Sequence, residues 1–437
     1  SHVPTPFIDP DKLQEFIRQQ REGIGGGLFA VIDLFSGRAF SNMSVFALGI
    51  MPYISVSIIL QLLAVVWPKL QKIQQEGALG QRRINRMTRN WTIALAIFQS
   101  FGLAITLQKE NLSYFTGSDS WLFIFTTVIA MTTGTAFVMW LGERITDQGI
   151  GNGISMIIAV GIMSSYPANA VSIWQQISSG NIPAIWGLVT LVLFALSTVA
   201  IILIQDGTRR IPMQHAKRVV GRRVLQGGTN YLPLKVNTAG VIPVIFSSAI
   251  LSFPGFLASL VAGGQADGGF WGNLFALQSP YNLYALLQRW GWDPGFAFLL
   301  LKSVNVYIML FALLTAFFCY FYTAVAFNPD DVANNLKKSG SFIPGKRPGK
   351  PTSEYIDYVL TRITTVGAIF LVTIAVVPLV LQVSFNMPIQ AAEFVGGTGL
   401  IIVSGVLVDT LKQIESQLLM RHYEGFALRR TSAARWR

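Results

Sequence analysis

Long apolar runs, free of charge apart from Lys302 and Asp409 near the ends of two of them, dominate the chain. Nine such runs lie at 43–66, 91–108, 121–142, 153–171, 184–204, 236–262, 300–327, 363–383 and 396–411. Each is close to the ~20 residues that an α-helix needs to cross ~30 Å of hydrocarbon. None shows the sustained polar and apolar alternation of a transmembrane β-strand. The pattern therefore predicts an all-α polytopic membrane protein with nine visible spans.

The amino-acid composition also indicates a membrane protein. Of the 437 residues, 52% are hydrophobic and 12% are charged, about half the charge that a soluble globular surface uses. The apolar content excludes an intrinsically disordered chain. Cys319 is the only cysteine, which excludes a disulfide-stapled secreted domain. A membrane protein is the class that remains.

The positive charges predict the orientation. Of the 33 Lys and Arg residues, 26 lie in the connections 67–90, 143–152, 205–235 and 328–362 and in the tail 412–437. Cytoplasmic loops carry the excess of positive charge, so these segments and the C-terminus are expected in the cytoplasm. Nine spans then place residue 1 outside. We expect ten helices in all, with this numbering starting just after the first.

Three stretches do not fit the pattern of a regular transmembrane helix. Residues 24–42 are mildly apolar and Gly-rich but too short to span, so they are either a half-helix re-entering from outside or an amphipathic surface helix. Pro52 inside the first run predicts a kink or a stop. The sequence Gly149-Ile-Gly-Asn-Gly153 indicates either a close helix approach or a cytoplasmic hinge.

The basic loops allow two interpretations. Their charges either fix orientation and contact anionic lipid, or they form a docking surface for an acidic partner or for RNA phosphate. Lys346 and Arg347 stand between two Pro-Gly pairs, which predicts a turn-rich projecting tip. This tip favours the docking interpretation slightly, but composition does not identify the partner.

Catalytic chemistry has no sequence signature here. The three histidines are far apart, and no metal-binding or nucleophile motif is present. We expect no metal and no cofactor. No Asp or Glu lies deep in a predicted span, although coupled transporters usually carry ionisable groups there. A passive conduit is favoured over a secondary transporter and over a membrane enzyme.

Four long motifs resemble one family. They are Asn42–Gln61 (NMSVFALGIMPYISVSIILQ), Trp140–Ser155 (WLGERITDQGIGNGIS), Leu232–Phe246 (LPLKVNTAGVIPVIF) and Asn328–Gly349 (NPDDVANNLKKSGSFIPGKRPG). In this order they closely resemble the bacterial SecY family, the channel subunits of the Sec translocon. The resemblance covers essentially the whole chain.

The resemblance implies a fold, a function and a pore. The fold would be two inverted five-helix halves around a central pore, the N-terminal half at 1–171 and the C-terminal half at 184–411, followed by a tail at 412–437. The function would be to pass unfolded polypeptides across the membrane and to release helices sideways into it. The implied pore ring consists of Ile50, Ile54, Ile154, Ile158, Ile245 and Ile402. Such a ring would exclude water and ions by dewetting.

The resemblance also implies a plug and a lateral gate. The plug would be the half-helix near 24–42, with a body from Gly27 to Asn42. Its site residues are Gly27, Phe29, Ile32, Phe35, Ser36 and Gly37. The gate would lie between the runs 43–66 and 236–262, with Gln99 and Asn237 as candidate polar residues.

Partners and location follow from the same resemblance. The implied docking residues are Arg209, Arg210, Arg222, Arg223, Lys346 and Arg347, which would meet the SecA motor ATPase and ribosomal RNA. SecE and SecG are the expected small membrane subunits, and signal peptides and nascent chains the expected cargo. The implied location is the bacterial cytoplasmic membrane.

Overall fold

The computed structural model describes residues 3–9, 12–13, 33, 36–109, 120–180, 183–215, 218–220, 223–225, 229–251, 306–385 and 389–433. The helices are α1 Met51–Val66, α2 Pro68–Gln75, α3 Ala78–Lys109, α4 Ser120–Gln148, α5 Gly153–Ser178, α6 Ala184–Asp206, α7 Ile242–Leu251, α8 Val306–Ala326, α9 Pro329–Ser339, α10 Lys350–Phe385, α11 Ile389–Val395 and α12 Thr398–Ala433. The strands are β1 Thr208–His215, β2 Arg218–Val220, β3 Arg223–Leu225, β4 Thr229–Lys235 and β5 Ser341–Phe342.

Every predicted apolar run contains a helix. Six helical segments of the described chain are long and apolar enough to cross a membrane: Leu79–Gln108, Trp121–Gln148, Gly153–Ser178, Ile185–Asp206, Ile308–Ser339 and Lys350–Leu381. The shorter helices α1 and α7 and the long helix α12 occupy the other three runs. The chain is thus a multi-pass helical membrane protein, and the total of nine spans stays a prediction.

The first span begins later than its sequence predicts. Residues 43–50 form turns, and α1 starts at Met51 with Pro52 in its first turn. Proline suits that position because its φ is already helical and its missing N–H has no partner to lose. The expected boundary at 43 is therefore wrong, and Pro52 marks a helix start.

The predicted cytoplasmic loops contain regular structure. Helix α2 and the first three turns of α3 occupy most of 67–90, while α9 and the start of α10 occupy much of 328–362. Helix α12 continues through most of the tail at 412–437. Reading these segments as loops was wrong, because apolarity identifies only the lipid-embedded part of a helix.

A small sheet corrects the all-α expectation at one place. Its strand order is β4-β1-β5, and all pairings are antiparallel. Strand β1 pairs with β4 from Thr208 opposite Lys235 to Gln214 opposite Thr229, and its end pairs with β5. One face packs over a cluster of buried side chains, which are Ile211, Met213, Leu234, Ile343 and Ile356. Strands β2 and β3 form a separate two-stranded pair.

Two compact units divide the described chain. One contains α1–α5 and α12 from Ile402 onward, and the other contains α6–α11 and the three-stranded sheet. In the first unit, a core joins the segment before α1 to α3 and α4 through Leu13, Phe40, Met43, Ala47, Leu48, Leu107, Phe123 and Met131. In the second unit, a core joins α6, α7, α8 and α10 through residues that include Ile201, Val244, Phe311 and Leu371.

Candidate functional site

Four of the six predicted ring isoleucines are buried, and the other two are half-buried. Ile50, Ile54, Ile158 and Ile402 are 4%, 8%, 4% and 1% exposed, while Ile154 and Ile245 are half-buried. Five of the six belong to the first unit, and Ile245 belongs to the second. A side chain that faced the acyl chains would be exposed in the protein alone, so Ile50, Ile54, Ile158 and Ile402 do not have the exposure of lipid-facing residues.

The start of α1 sets two of these positions. Ile50 is the residue that caps α1, and the N–H of Ile54 donates to its carbonyl oxygen at 3.0 Å. The two residues are thus one helical turn apart and share a face. Pro52 sits between them and fixes where the helix begins.

The Gly-rich loop sets two more positions through a close helix contact. The side chain of Asn152 caps α5 by accepting from the N–H groups of Ile154 and Ser155 at 3.1 and 3.3 Å. A Cβ at Gly153 would lie 2.2 Å from the carbonyl oxygen of Gly142 on α4. The glycines therefore produce the close approach that the sequence allowed. Ile154 then packs against Gly142, where an added Cβ would be 2.8 Å from its Cγ1.

Part of the predicted plug is described. Gly27, Phe29, Ile32 and Phe35 lie outside the described residues, whereas Asp33 and the segment from Ser36 onward lie within them. Ser36 accepts from the N–H of Phe40 at 3.1 Å, which closes a turn. Gly37 has a φ of +62°, and a Cβ there would be 3.0 Å from Cα of Gly161 on α5.

A hydrogen bond that the sequence did not predict lies beside this contact. The guanidinium of Arg38 donates to Oδ1 of Asn169 on α5 at 2.6 Å, across 131 residues of chain. The only signals in the sequence are a cation in the segment 1–42 and a polar amide inside an apolar run. Neither signal identifies the other as its partner.

The two predicted gate residues lie in different units. Gln99 is 8% exposed on α3, and Asn237 is 6% exposed just before α7. The amide Nδ2 of Asn237 donates to the carbonyl oxygen of Gly240 at 3.0 Å, while its buried Oδ1 accepts from no described group. Among the described residues, Asn237 Oδ1 is thus a buried acceptor without a donor.

The predicted docking residues fall on the sheet and the turn beside it. Arg209 and Arg210 are exposed on β1, and Lys346 and Arg347 are exposed just after β5. Because β1 pairs with both β4 and β5, it joins the two predicted docking loops in one structure. Arg222 lies outside the described residues, and only the backbone of Arg223, in β3, is described.

The tip that carries Lys346 and Arg347 is the expected turn. The N–H of Lys346 donates to the carbonyl oxygen of Ile343 at 3.1 Å, with Pro344 and Gly345 between them. Gly345 has a φ of +81°, as the third residue of a type II turn requires. The ammonium of Lys346 lies 5.4 Å above the Tyr355 ring centre. The tip is thus held in a definite shape against the start of α10.

Comparisons with known proteins identify the fold and the family. The family model for SecY matches residues 44–411. The protein translocase subunits SecY of Chlamydia trachomatis and Escherichia coli K12 are 40% and 41% identical, each over 97% of this chain, which covers 91% and 89% of their lengths. A protein-conducting channel structure aligns with a TM-score of 0.61 at 17% identity, over 95% of this chain and 94% of its own.

Two further solved structures share this fold. One is a SecY channel structure concerning a plug domain that stabilises the closed state, with a TM-score of 0.57 at 16% identity. The other is Sec61 in the canine ribosome–channel complex, with a TM-score of 0.56 at 15% identity. Each alignment covers 95% of this chain and 94% of the other.

The fold is therefore that of a multi-pass helical protein of the protein-conducting channel class. At about 40% identity over nearly its whole length, the chain belongs to the SecY family.

Proposed function

We propose that this chain forms the channel through which unfolded polypeptides cross the membrane and from which membrane-protein helices leave sideways into lipid. Family membership supports the channel, and one observation carries the pore. The ring positions Ile50, Ile54, Ile158 and Ile402 are at most 8% exposed, whereas Ile185 and Ile369 in the spans are 62% and 64% exposed. Burial distinguishes these four ring positions from exposed isoleucines, and the crosslinking control at the core residue Ile401 distinguishes the ring from the core.

The ring would work by shape and polarity. Apolar side chains at a narrow constriction disfavour water, and ions do not enter a dewetted passage. The same surface makes no hydrogen-bond demand on a passing chain, so it accepts any side chain. The proposed ring therefore combines a seal against ions with tolerance of sequence.

The plug near 24–42 would close the pore from outside. The close contact of Gly37 with α5, the helix that carries Ile154 and Ile158, supports this assignment. The SecY structure described above assigns its own plug domain to the closed state. We extend that role to this chain.

The lateral gate would open between the two proposed halves, 1–171 and 184–411. Gln99 and Asn237 supply buried polar groups, and an interhelical hydrogen bond formed by either of them would be worth under ~2 kcal/mol. A signal sequence with an apolar segment of about 7–15 residues gains ~0.8 kcal/mol per buried CH₂. Signal binding would therefore outweigh several gate bonds and select the open state.

The three-stranded sheet and its tip would form the cytoplasmic docking surface. Arg209, Arg210 and Arg347 are exposed, and guanidinium groups bind phosphate and carboxylate with paired hydrogen bonds. The proposed partners are the SecA motor and ribosomal RNA, and Arg222 and Arg223 would extend the surface. SecE, SecG and anionic lipid would complete the assembly in the bacterial cytoplasmic membrane, with the C-terminus in the cytoplasm.

Cysteine crosslinking tests the pore directly. In a Cys319→Ser background, Ile402→Cys should crosslink to a stalled, half-exported chain, and so should Ile50→Cys. Ile401→Cys is the matched control, because Ile401 is 0% exposed in the core of the second unit. Crosslinks at Ile401 equal to those at Ile402, or none at Ile402 and Ile50, would contradict the proposed ring.

A further inference from the structure

The C-terminal part of the proposed plug body is bound to α5 by a charge-assisted hydrogen bond. The guanidinium of Arg38 donates to Oδ1 of Asn169 at 2.6 Å. Asn169 is 2% exposed. A charged donor on a buried amide oxygen makes a stronger bond than a neutral pair. Breaking it would leave that oxygen without this donor in an apolar environment.

A backbone contact reinforces this bond two turns away on the same helix. Gly37 lies against Gly161, where a Cβ at Gly37 would be 3.0 Å from Cα and 3.3 Å from the carbonyl oxygen. Gly161 and Asn169 are separated by about two turns, or ~12 Å of helix. The backbone of Gly37 and the side chain of Arg38 together therefore contact α5 at two points separated by that distance.

The segment is also braced internally. The carboxylate of Asp33 accepts from the N–H of Ser41 at 2.8 Å and from the Ser41 hydroxyl. The carbonyl oxygen of Asp33 accepts from the N–H of Arg38 at 2.9 Å. Arg38 has a φ of +63°, a conformation that costs ~1 kcal/mol or more for a non-glycine residue. These bonds hold Arg38 in that conformation and present its side chain to Asn169.

The far end of the segment is bound to the N-terminal stretch and to the core. The N–H of Thr5 donates to the carbonyl oxygen of Met43 at 3.1 Å, and the N–H of Val45 donates to that of Val3 at 3.0 Å. Phe40 and Met43 are 4% and 2% exposed within the core of the first unit. The segment is thus fixed at both ends and on α5.

We propose that residues 36–45 form a plug anchor that stays on α5 in both the closed and the conducting channel, with Arg38 and Asn169 as its positioning residues. This rests on the plug role under the proposed function and narrows it, since that role treats residues up to Asn42 as plug body. The anchor would hold the plug close to the pore, so that the seal reforms after each passage.

The positioning role of Arg38 and Asn169 is tested by measuring the ion leak through membranes that contain the assembled translocase. Arg38→Ala and Asn169→Ala should each raise the resting leak about tenfold, as expected for loss of one charge-assisted bond. The double variant should leak no more than either single variant, because both changes remove the same bond. Arg38→Lys should restore part of the seal, because an ammonium also donates.

Gln175→Ala is the matched control for leak. Gln175 is an exposed amide residue further along α5 and should leave the leak unchanged. Additive leak in the double variant, or unchanged leak in both single variants with normal protein levels, would overturn the positioning role.

A reversible crosslink tests whether the anchor stays in place. In a Cys319→Ser background, Arg38→Cys and Asn169→Cys are joined by a cleavable bifunctional maleimide, and export of a secretory protein into inverted membrane vesicles is measured. Export should continue at the rate of the uncrosslinked pair. A block that is relieved when the linker is cleaved would overturn the fixed anchor.

Different experimental results would contradict the anchor proposal and the proposed channel function. If the anchor proposal alone is wrong, the parent channel still exports and deletion of residues 27–35, which precede the anchor, raises the leak, but the crosslink blocks export. If the proposed function is wrong, the parent itself neither exports nor changes its leak on that deletion.

Discussion

Gly142 and Gly153 allow α4 and α5 to meet at the end of the Gly-rich loop. A side chain at Gly153 would enter the space of the Gly142 carbonyl oxygen and lie 2.6 Å from Cβ of Ile145. This contact precedes Ile154 and Ile158, so it fixes two of the proposed ring positions. At the scale of single residues, the proposed seal therefore requires glycine at positions 142 and 153 as well as isoleucine at the ring positions.

Gly153→Ala should lower the thermal stability of the purified protein. The added methyl would overlap the backbone of α4 at 2.2 Å, and overpacking of this kind costs ~1–3 kcal/mol. Thermal unfolding in detergent measures the effect. Gly396→Ala is the control, because its nearest neighbour would be 3.7 Å away. Equal melting temperatures for both variants would contradict the packing argument.

Ile158→Ser should raise ion conductance in planar bilayers. Ile158 is 4% exposed, and a hydroxyl in an apolar constriction would favour wetting. Val160→Ser is the matched control on the same helix, because Val160 is 63% exposed. Conductance that rises equally in both variants would argue against the ring.

At the scale of elements, strand β1 connects two loops that are separated in sequence by about a hundred residues. Its odd-numbered positions Ile211 and Met213 are buried, and its even-numbered positions Pro212 and Gln214 are exposed. This alternation is that of a strand with one face in a core. Docking at either loop would therefore be transmitted through shared backbone pairing.

Ile211→Asp should destabilise both docking loops together. Ile211 is 2% exposed in the sheet core, and an unpaired carboxylate there carries a large burial cost. Trypsin cleavage should accelerate both after Arg209 or Arg210 and after Lys346, since Pro348 prevents cleavage after Arg347. Tyr231→Asp is the control, because Tyr231 is 55% exposed and lies opposite Pro212. Acceleration at only one loop would contradict the sheet.

At the scale of the whole molecule, the charge distribution predicts the arrangement across the membrane. The basic connections include the sheet and its tip, whereas the connection 172–183 carries no Lys or Arg. Since positive loops remain in the cytoplasm, the two ends of α5 belong on opposite sides.

Thiol labelling from one side of the membrane checks this arrangement. In a Cys319→Ser background, Lys346→Cys should react with an impermeant maleimide only from the cytoplasmic side, and Gln175→Cys only from the outside. Both positions are exposed, so burial does not limit the reaction. Labelling of both from the same side would contradict the predicted orientation.

The sequence alone determined the membrane class, the helical runs and the family. These depend on properties that are local or additive along the chain: the length of an apolar run, the count of charges, and the order of motifs such as Trp140–Ser155. The turn at Pro344-Gly345 was equally predictable, because proline and glycine restrict their own backbone. Helix starts were less accurate, since Pro52 is compatible with both a kink and a start.

The tertiary structure alone decided the long-range pairings. Strand β1 offers only Ile211 and Met213 as apolar positions on its buried face, too few to predict a strand, and its pairing with β5 depends on how distant segments fold. Arg38 and Asn169 likewise become partners only because Gly37 and Gly161 let two backbones approach. Such contacts depend on the relative position of remote residues, which local patterns do not encode.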